Sequence, residues 1–258
     1  MVWLYHGTSP KRLAPEAQAI VAEGKLLYQL EMAAWLGTDL FLEKSKETNQ
    51  IGGYFSYLAA EERRCIFFSK DKQPAVMGTL VFDESFNTQT ARIDLKQRAF
   101  TKEEQSIFEI RQQALEVMNE DTIFKIYENT NLNLIPLIHN QERKVYVLTG
   151  PTKQGVVILG NDYLIQFNER NEVFTKKPLH KNIIPMKVGE KGPDGQIVIG
   201  SMHSHLPETG DFITPTDICT LMLYAKYAGW QTHRVVTPRY INNWNCVTNE
   251  LTLTPISK

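Results

Sequence analysis

The sequence predicts a mixed α+β protein, because capped helices alternate with short β-type runs along the chain. Residues 101–118 form the clearest helix, where Thr101 and Glu104 have the spacing of a capping box and apolar residues recur at helical intervals. Three short segments are rich in aromatic and β-branched residues and therefore predict strands: residues 54–57, 65–69 and 77–82.

The rest of the first half is predicted to be largely helical. One helix is expected over residues 10–23, with Ser9 as its N-cap and Gly24 at its exit. A second is expected over residues 26–43, interrupted at Gly37. Residues 120–139 are expected to remain partly helical.

The pattern changes near residue 135. A helix over residues 214–228 ends before Gly229, and the remaining periodic segments are short and β-type. We therefore predict an N-terminal α+β domain of unknown role, residues 1–134, and a second domain of mixed sheet and helices, residues 135–258. The strands predicted in the second domain are residues 145–149, 155–159, 163–167, 197–201, 234–237, 244–247 and 251–254.

Composition limits the classes of partner. The 258 residues carry a formal net charge of −1 and no run of five basic residues, which argues against nucleic acid and an anionic membrane as partners. The three cysteines are widely spaced and form no disulfide framework. No segment reaches the ~20 apolar residues that span a bilayer. A cytoplasmic location is expected, and a secreted form whose signal has been removed is the alternative.

Two histidines and an aspartate predict a metal site in the second half. His203 and His205 alternate directly after a predicted strand, so their side chains point to the same face. Asp217 lies in the first turn of the following helix. Two imidazoles and a carboxylate suit zinc and leave one coordination position open for water. Asp217 also has a purely structural interpretation, since the third helical position after Thr214 is that of a capping-box acid.

These residues carry a resemblance to a known family. His203-Ser204-His205, followed by Thr214-Pro215-Thr216-Asp217, resembles the motif of the JAB/MPN (JAMM) zinc metallopeptidases, in which His-Ser/Thr-His-Pro precedes Ser-x-x-Asp. Three features depart from that motif. Leu206 stands in place of proline, the loop before residue 214 is one residue longer, and Thr214 replaces serine. The chain is therefore similar to a divergent member of the family.

The resemblance implies a zinc-dependent peptidase or isopeptidase that hydrolyses an amide bond by metal-activated water. It also implies a protein or peptide substrate, such as a ubiquitin-like tail. Thr214 would help to hold the oxyanion, unless its hydroxyl is occupied by capping the helix. The alternative function is a non-catalytic binding or scaffold protein that keeps the JAMM-like fold. A nuclease relative is disfavoured by the net charge.

The general base implied by the resemblance is Glu142. The family places this glutamate at the start of a strand that soon reaches a glycine, and Glu142 precedes residues 145–149 and Gly150. Gly150 comes one residue late, so that a bulge would be needed. A surface glutamate is the alternative interpretation of Glu142, and Glu128 is the rival base.

Simpler roles are predicted for the remaining histidines and for the start of the chain. His180 lies in a lysine-rich loop and is predicted to be solvated, while His139 and His233 are predicted to be structural or surface residues. Tyr5-His6-Gly7-Thr8 resembles the first strand of ADP-ribosyltransferases. No catalytic glutamate follows it at a strand, so a substrate-selecting or recognition role is expected for the first domain.

Overall fold

The computed structural model of the chain describes residues 13–191 and 194–256. These residues form three α-helices and 14 strands in four sheets, which confirms the predicted α+β class. None of the helices in these two ranges combines the length and the apolar character that a membrane crossing requires. Ser9, Pro10 and the segment around His6 lie outside the described residues.

The first helix, α1, runs without a break from Pro15 to Lys44. The sequence predicted two helices here, separated near Gly24, and that prediction is wrong. Gly24 and Gly37 lie inside α1 at close contacts: an added Cβ atom would come within 2.7 Å of Ile218 Cβ and 2.8 Å of Cys65 Cβ, respectively. These glycines therefore permit close packing on one side of a continuous helix.

Gly24→Ala is expected to lower the free energy of unfolding, although alanine favours helix by about 1 kcal/mol. The new methyl group would overlap Ile218, and overpacking of this kind costs about 1–3 kcal/mol. Urea unfolding measures the change. Ile218→Gly in the same chain removes both Ile218 atoms that the new methyl group would meet, Cβ and Cγ2, so the double variant should lose less stability than the two single losses combined. A stabilised Gly24→Ala protein would contradict the close packing.

The first sheet is antiparallel in the order β1-β2-β3-β4. The second helix, α2, Lys102–Glu120, begins with the predicted capping box between Thr101 and Glu104. This confirms the clearest helix of the sequence and the three strands predicted before it. The strands are β1 Ile51–Ala59, β2 Glu62–Ser69, β3 Val76–Phe82 and β4 Arg92–Asp94.

Six strands follow α2 before the last sheet begins. The prediction that residues 120–139 remain partly helical is wrong. After a short turn region the chain forms a ten-residue strand, whose hairpin turns at Asn140 and Gln141 with positive φ. The pairing with the next strand is continuous over the full length and outweighs local helical preference. The strands are β5 Thr130–His139, β6 Glu142–Pro151, β7 Val156–Gly160, β8 Tyr163–Phe167, β9 Val173–Pro178 and β10 Ile183–Lys187.

These six strands make two sheets, one in the order β5-β6-β8-β9 and one of β7 with β10. The predicted domain boundary at residues 134 and 135 falls inside β5. Apolar residues from the two sides of that position also share a core, in which Leu27 and Leu30 of α1 pack with Ile135 and Tyr146.

The last part of the chain builds the sheet β11-β12-β13-β14, with β11 and β12 parallel. The connection between these two strands contains the third helix, α3, Pro215–Ala228, as predicted. The strand predicted over residues 197–201 is displaced, since β11 begins at Gly200 and Ile197 makes only an isolated bridge to Lys191. The strands are β11 Gly200–Ser204, β12 Thr232–Val236, β13 Tyr240–Asn245 and β14 Glu250–Pro255.

Candidate metal centre

The end of β11 and the start of α3 bring the predicted ligands together. His203 lies in β11, His205 follows it directly, and Asp217 stands in the first turn of α3. His205 Nε2 lies 3.0 Å from His203 Nε2 and 3.2 Å from Asp217 Oδ2, while His203 Nε2 lies 3.6 Å from Asp217 Oδ1. The spatial arrangement expected from the alternation of residues 203 and 205 is therefore present.

A fourth side chain joins these three. His180, in the segment between β9 and β10, places Nε2 3.4 Å from Asp217 Oδ1. One donor atom from each of His180, His203, His205 and Asp217 can be chosen so that all lie within 4.8 Å of one another. The expectation of a solvated His180 is wrong, because the residue is only 8% exposed.

One carboxylate oxygen of Asp217 caps the helix, and the other takes no part in the cap. Oδ2 accepts hydrogen bonds from the Thr214 amide at 3.0 Å and the Thr214 hydroxyl at 2.7 Å. Oδ1 is buried and accepts no hydrogen bond from the described residues. A buried carboxylate oxygen without a hydrogen bond is costly, and a bound cation would satisfy it. The capping and ligand interpretations of Asp217 therefore apply to different atoms of the same residue.

The distances between the donor atoms suit a tetrahedral zinc ion. Nitrogen and oxygen ligands about 2.0–2.1 Å from zinc are about 3.3–3.4 Å from one another in a tetrahedron. The four separations given above run from 3.0 to 3.6 Å and involve both carboxylate oxygens of Asp217, while the complete set of four donor atoms lies within 4.8 Å. Three imidazoles and one carboxylate are also chemically suitable donors for zinc. The residues present therefore fit the ion that the sequence led us to expect.

The two histidines after β11 are held by their other ring nitrogens. His205 Nδ1 lies 3.1 Å from the carbonyl oxygen of Phe212, which only accepts, so that Nδ1 carries the proton and Nε2 offers a lone pair. His203 Nδ1 lies 2.8 Å from His233 Nε2, and His233 Nδ1 lies 2.6 Å from Ser201 Oγ. For His203 Nε2 to act as a ligand, Nδ1 must donate to His233.

The loop that carries the Phe212 carbonyl is itself fixed. The Asn242 side chain accepts from the Ile213 amide at 3.0 Å and donates to the Asp211 carbonyl at 3.3 Å. Asn242 belongs to β13, so the sheet behind β11 holds the loop that precedes α3. The orientation of His205 is thus supported by backbone groups that do not depend on a ligand.

His180 is positioned by a second buried carboxylate, Asp162. Asp162 Oδ1 accepts from the Thr149 amide at 2.8 Å, and Oδ2 lies 3.4 Å from His180 Nδ1, an ion-pair distance without hydrogen-bond geometry. The backbone supports the same contact, because the Leu179 amide donates to the Asp162 carbonyl at 2.7 Å. No local sequence pattern predicted that His180 belongs to the cluster. Its partner there, Asp217, lies 37 residues later in the chain, and the intervening strands bring the two residues together.

The buried histidines fall into two groups according to the direction in which their pKa values are shifted. Burial alone would lower the pKa of His180, but the carboxylates of Asp217 and Asp162 raise it to about 10. Burial lowers the pKa of His203 to about 4 and that of His233 to about 3. His203 and His233 are therefore neutral near pH 7, as a ligand and its hydrogen-bond partner must be.

The structure does not bring Glu142 to the cluster. Its side chain is 63% exposed, and its carboxylate pairs with Lys144 Nζ at 2.6 Å. It begins β6, whereas Thr149, which holds Asp162, lies seven residues further along the strand, a distance of about 23 Å. The rival Glu128 is also exposed and bonds its neighbour Asn129. Neither glutamate is positioned to accept a proton at the cluster.

The Thr214 hydroxyl is engaged at the start of α3. It accepts from the Asp217 amide at 3.1 Å, which is its part of the capping box, and it donates to Asp217 Oδ2 at 2.7 Å. The residue is also only 6% exposed. Because both of these hydrogen bonds are made with Asp217, the hydroxyl is not available to bind an oxyanion. We therefore assign Thr214 to the helix cap.

Removing the support behind His203 is expected to weaken zinc binding. His233→Gln keeps a polar group of similar reach but cannot relay a hydrogen bond from His203 to Ser201, and loss of such support costs about 10–100-fold in metal affinity. Competition with a chelator measures the zinc Kd. His139→Gln, at an exposed position, is the matched control. Equal zinc affinity in both variants would remove His233 from the centre.

Fold and site together define a class: an α+β protein with a buried three-histidine, one-aspartate cluster between a strand end and a helix start. No family model matches the chain, and no curated protein or solved structure is similar enough to it to count as a match.

Proposed function

We propose that this chain is a zinc protein of the JAB/MPN type that hydrolyses an amide bond, as a peptidase or isopeptidase. The observation that supports a zinc centre is the convergence of His180, His203, His205 and Asp217, which place one donor atom each within 4.8 Å of one another. Asp217 Oδ1, which accepts no hydrogen bond from the described residues, supports the same conclusion. The motif resemblance described above favours a protein or peptide as the substrate.

Zinc bound here would supply a Lewis acid that acidifies water and polarises a carbonyl group. His203, His205 and Asp217 would hold the ion, and His233 would fix the tautomer of His203. The Asp217 carboxylate, a main cause of the raised pKa of His180 in the metal-free chain, would share its charge with the ion, so that pKa would fall and His180 would accept a proton through Nε2, the nitrogen that faces Asp217. Asp162 would orient the imidazole through Nδ1, the arrangement by which a carboxylate positions a catalytic histidine. In this proposal His180 takes the role that the sequence assigned to Glu142.

The second candidate is a zinc centre without turnover. All four side chains are more than nine-tenths buried, with exposures of 8% for His180, 8% for His203, 7% for His205 and 0% for Asp217. A site with four protein ligands is closed, as in structural zinc sites, whereas a catalytic site keeps one position for water. If His180 is a permanent fourth ligand, the chain is the non-catalytic binding or scaffold protein.

His180→Gln separates the two candidates. If His180 accepts the proton, the variant keeps close to one equivalent of zinc and loses turnover, because an amide cannot accept a proton. If His180 is a permanent ligand, zinc affinity falls steeply, and neither the native chain nor the variant hydrolyses amide bonds. The measurement pairs zinc content with turnover of peptide and lysine-isopeptide substrates on one preparation.

His139→Gln serves as the matched control, because this exposed histidine is outside the cluster. Glu142→Gln is expected to retain full turnover, since the Glu142 carboxylate is paired with Lys144 at the far end of β6. Turnover that persists after the zinc has been removed by a chelator would contradict the hydrolase proposal.

A further inference from the structure

A second candidate site lies where α1, β1, β5 and α3 meet. It is a cavity of about 230 Å³, lined among others by Glu31, Trp35, Asp39, Tyr54, Asn133 and Tyr224. Glu31 and Trp35 are one turn apart on α1 and therefore share a face of that helix. No metal ligand of the cluster described above lines this cavity, so that it is a separate feature of the molecule.

Three aromatic rings form much of its wall. Trp35 and Tyr224 have ring centroids 6.4 Å apart with planes inclined by 36°. Trp35 is 43% exposed and Tyr54 is 37% exposed, so the aromatic wall is open to solvent. Large aromatic side chains usually bury their faces, and faces left open around a cavity offer negative electrostatic potential to a cation.

Glu31 lines the same cavity as these rings and is partly exposed. Within residues 13–191 and 194–256, no side chain or backbone group forms a hydrogen bond or ion pair with it. Burial raises the pKa of Glu31 to about 7, and burial together with the nearby charge of Glu31 raises the pKa values of Tyr54 and Tyr224. A cation bound beside this carboxylate would interact favourably with its charge and lower its pKa.

One basic group close to Tyr54 is engaged elsewhere. Burial raises the pKa of Tyr54 and the Arg111 guanidinium opposes that shift, but the guanidinium stacks over the Phe68 ring at 5.6 Å. It does not pair with Glu31. A second acidic residue, Asp39, adds negative charge at the exposed side of the cavity. The site is therefore acidic and aromatic, which disfavours anions and uncharged polar ligands.

We propose that this cavity binds a small organic ammonium ion, with its charge beside Glu31 and its alkyl groups against Trp35, Tyr54 and Tyr224. Aromatic walls with an adjacent carboxylate suit an ammonium group that carries apolar substituents. A bare metal ion would instead require several oxygen ligands at short range. The volume admits a ligand of a few heavy atoms and not a drug-sized molecule.

The test is calorimetric titration of the full chain with choline and with 3,3-dimethylbutanol, which has the same shape without the charge. Choline is expected to bind at one site and the alcohol at least tenfold more weakly. Glu31→Gln removes the charge with little change of volume and is expected to weaken choline binding at least tenfold. Trp35→Leu keeps an apolar side chain, removes an aromatic face and is expected to weaken binding as well.

Glu43→Gln is the matched control, because Glu43 lies on the same helix, is 63% exposed and pairs with Lys44. It should bind choline as the native chain does. Absence of choline binding to the native chain, equal binding of the alcohol, or unchanged binding in a folded Glu31→Gln protein would each overturn the proposal. Zinc content is expected to be the same in all four proteins, so that this result is independent of the metal centre.

Discussion

Replacing His203 and His205 together with alanine is expected to abolish zinc binding. The native chain should retain close to one equivalent of zinc after desalting, and the double variant should retain none. The reason is that two of the four donors are lost and Asp217 remains beside a single imidazole, His180. Zinc bound by four protein ligands is held by about 10–16 kcal/mol in small domains, and two ligands cannot supply that affinity.

The control for this experiment is His139→Ala, which removes an exposed histidine remote from the cluster. Zinc content should be measured by elemental analysis on proteins whose circular dichroism spectra agree, so that a loss of metal is separated from a loss of fold. Full zinc occupancy in the double variant would place the metal elsewhere in the chain and contradict the proposed centre.

Asp217→Asn is expected to reduce zinc affinity by orders of magnitude with little change in the stability of the metal-free protein. Asparagine caps a helix about as well as aspartate, so the hydrogen bonds from Thr214 to the side-chain oxygen are retained. The atom that replaces Oδ1 becomes an amide nitrogen, which carries protons and offers no lone pair to a metal. Ligand function and capping function are therefore separated by a change of one atom.

The measurement compares zinc Kd, by chelator competition, with urea unfolding of the metal-free proteins. Thr214→Ala is the matched variant, since it removes the cap hydroxyl and leaves the carboxylate in place. It should lower stability by about 1 kcal/mol, in line with other lost caps, and affect zinc affinity less than Asp217→Asn does. Unchanged zinc affinity in Asp217→Asn would return Asp217 to a purely structural role.

The parts of the fold that sequence patterns predicted are those governed by local chemistry. The capping boxes of α2 and α3 involve residues three positions apart, and both are present. The continuity of α1 depends instead on the close approach of Ile218 to Gly24. The two residues are almost 200 positions apart in sequence, so the residues around Gly24 could not predict this contact. Likewise, the strand β5 is selected by its pairing with β6 and not by its own residues.

The candidate site likewise contains residues that local sequence patterns predicted and one that they did not. His203, His205 and Asp217 are close in sequence, and the strand, loop and helix between them make their convergence predictable. His180 reaches the cluster through the turn that carries Asp162 and through the pairing of β8 with β9, contacts that link distant segments. Glu142 is the base that the family resemblance implies from its place before a strand, and the hairpin with β5 directs it to the opposite end of β6.

X-ray absorption at the zinc edge tests the central claim most directly. We expect a first shell of four nitrogen and oxygen atoms at about 2.0–2.1 Å, with the multiple-scattering pattern of imidazole from two or three histidines. In His203→Ala, His205→Ala protein that pattern should be lost. A shell containing sulfur at about 2.3 Å, a six-coordinate shell of water oxygens, or an unchanged spectrum in the double variant would contradict a zinc centre at His180, His203, His205 and Asp217.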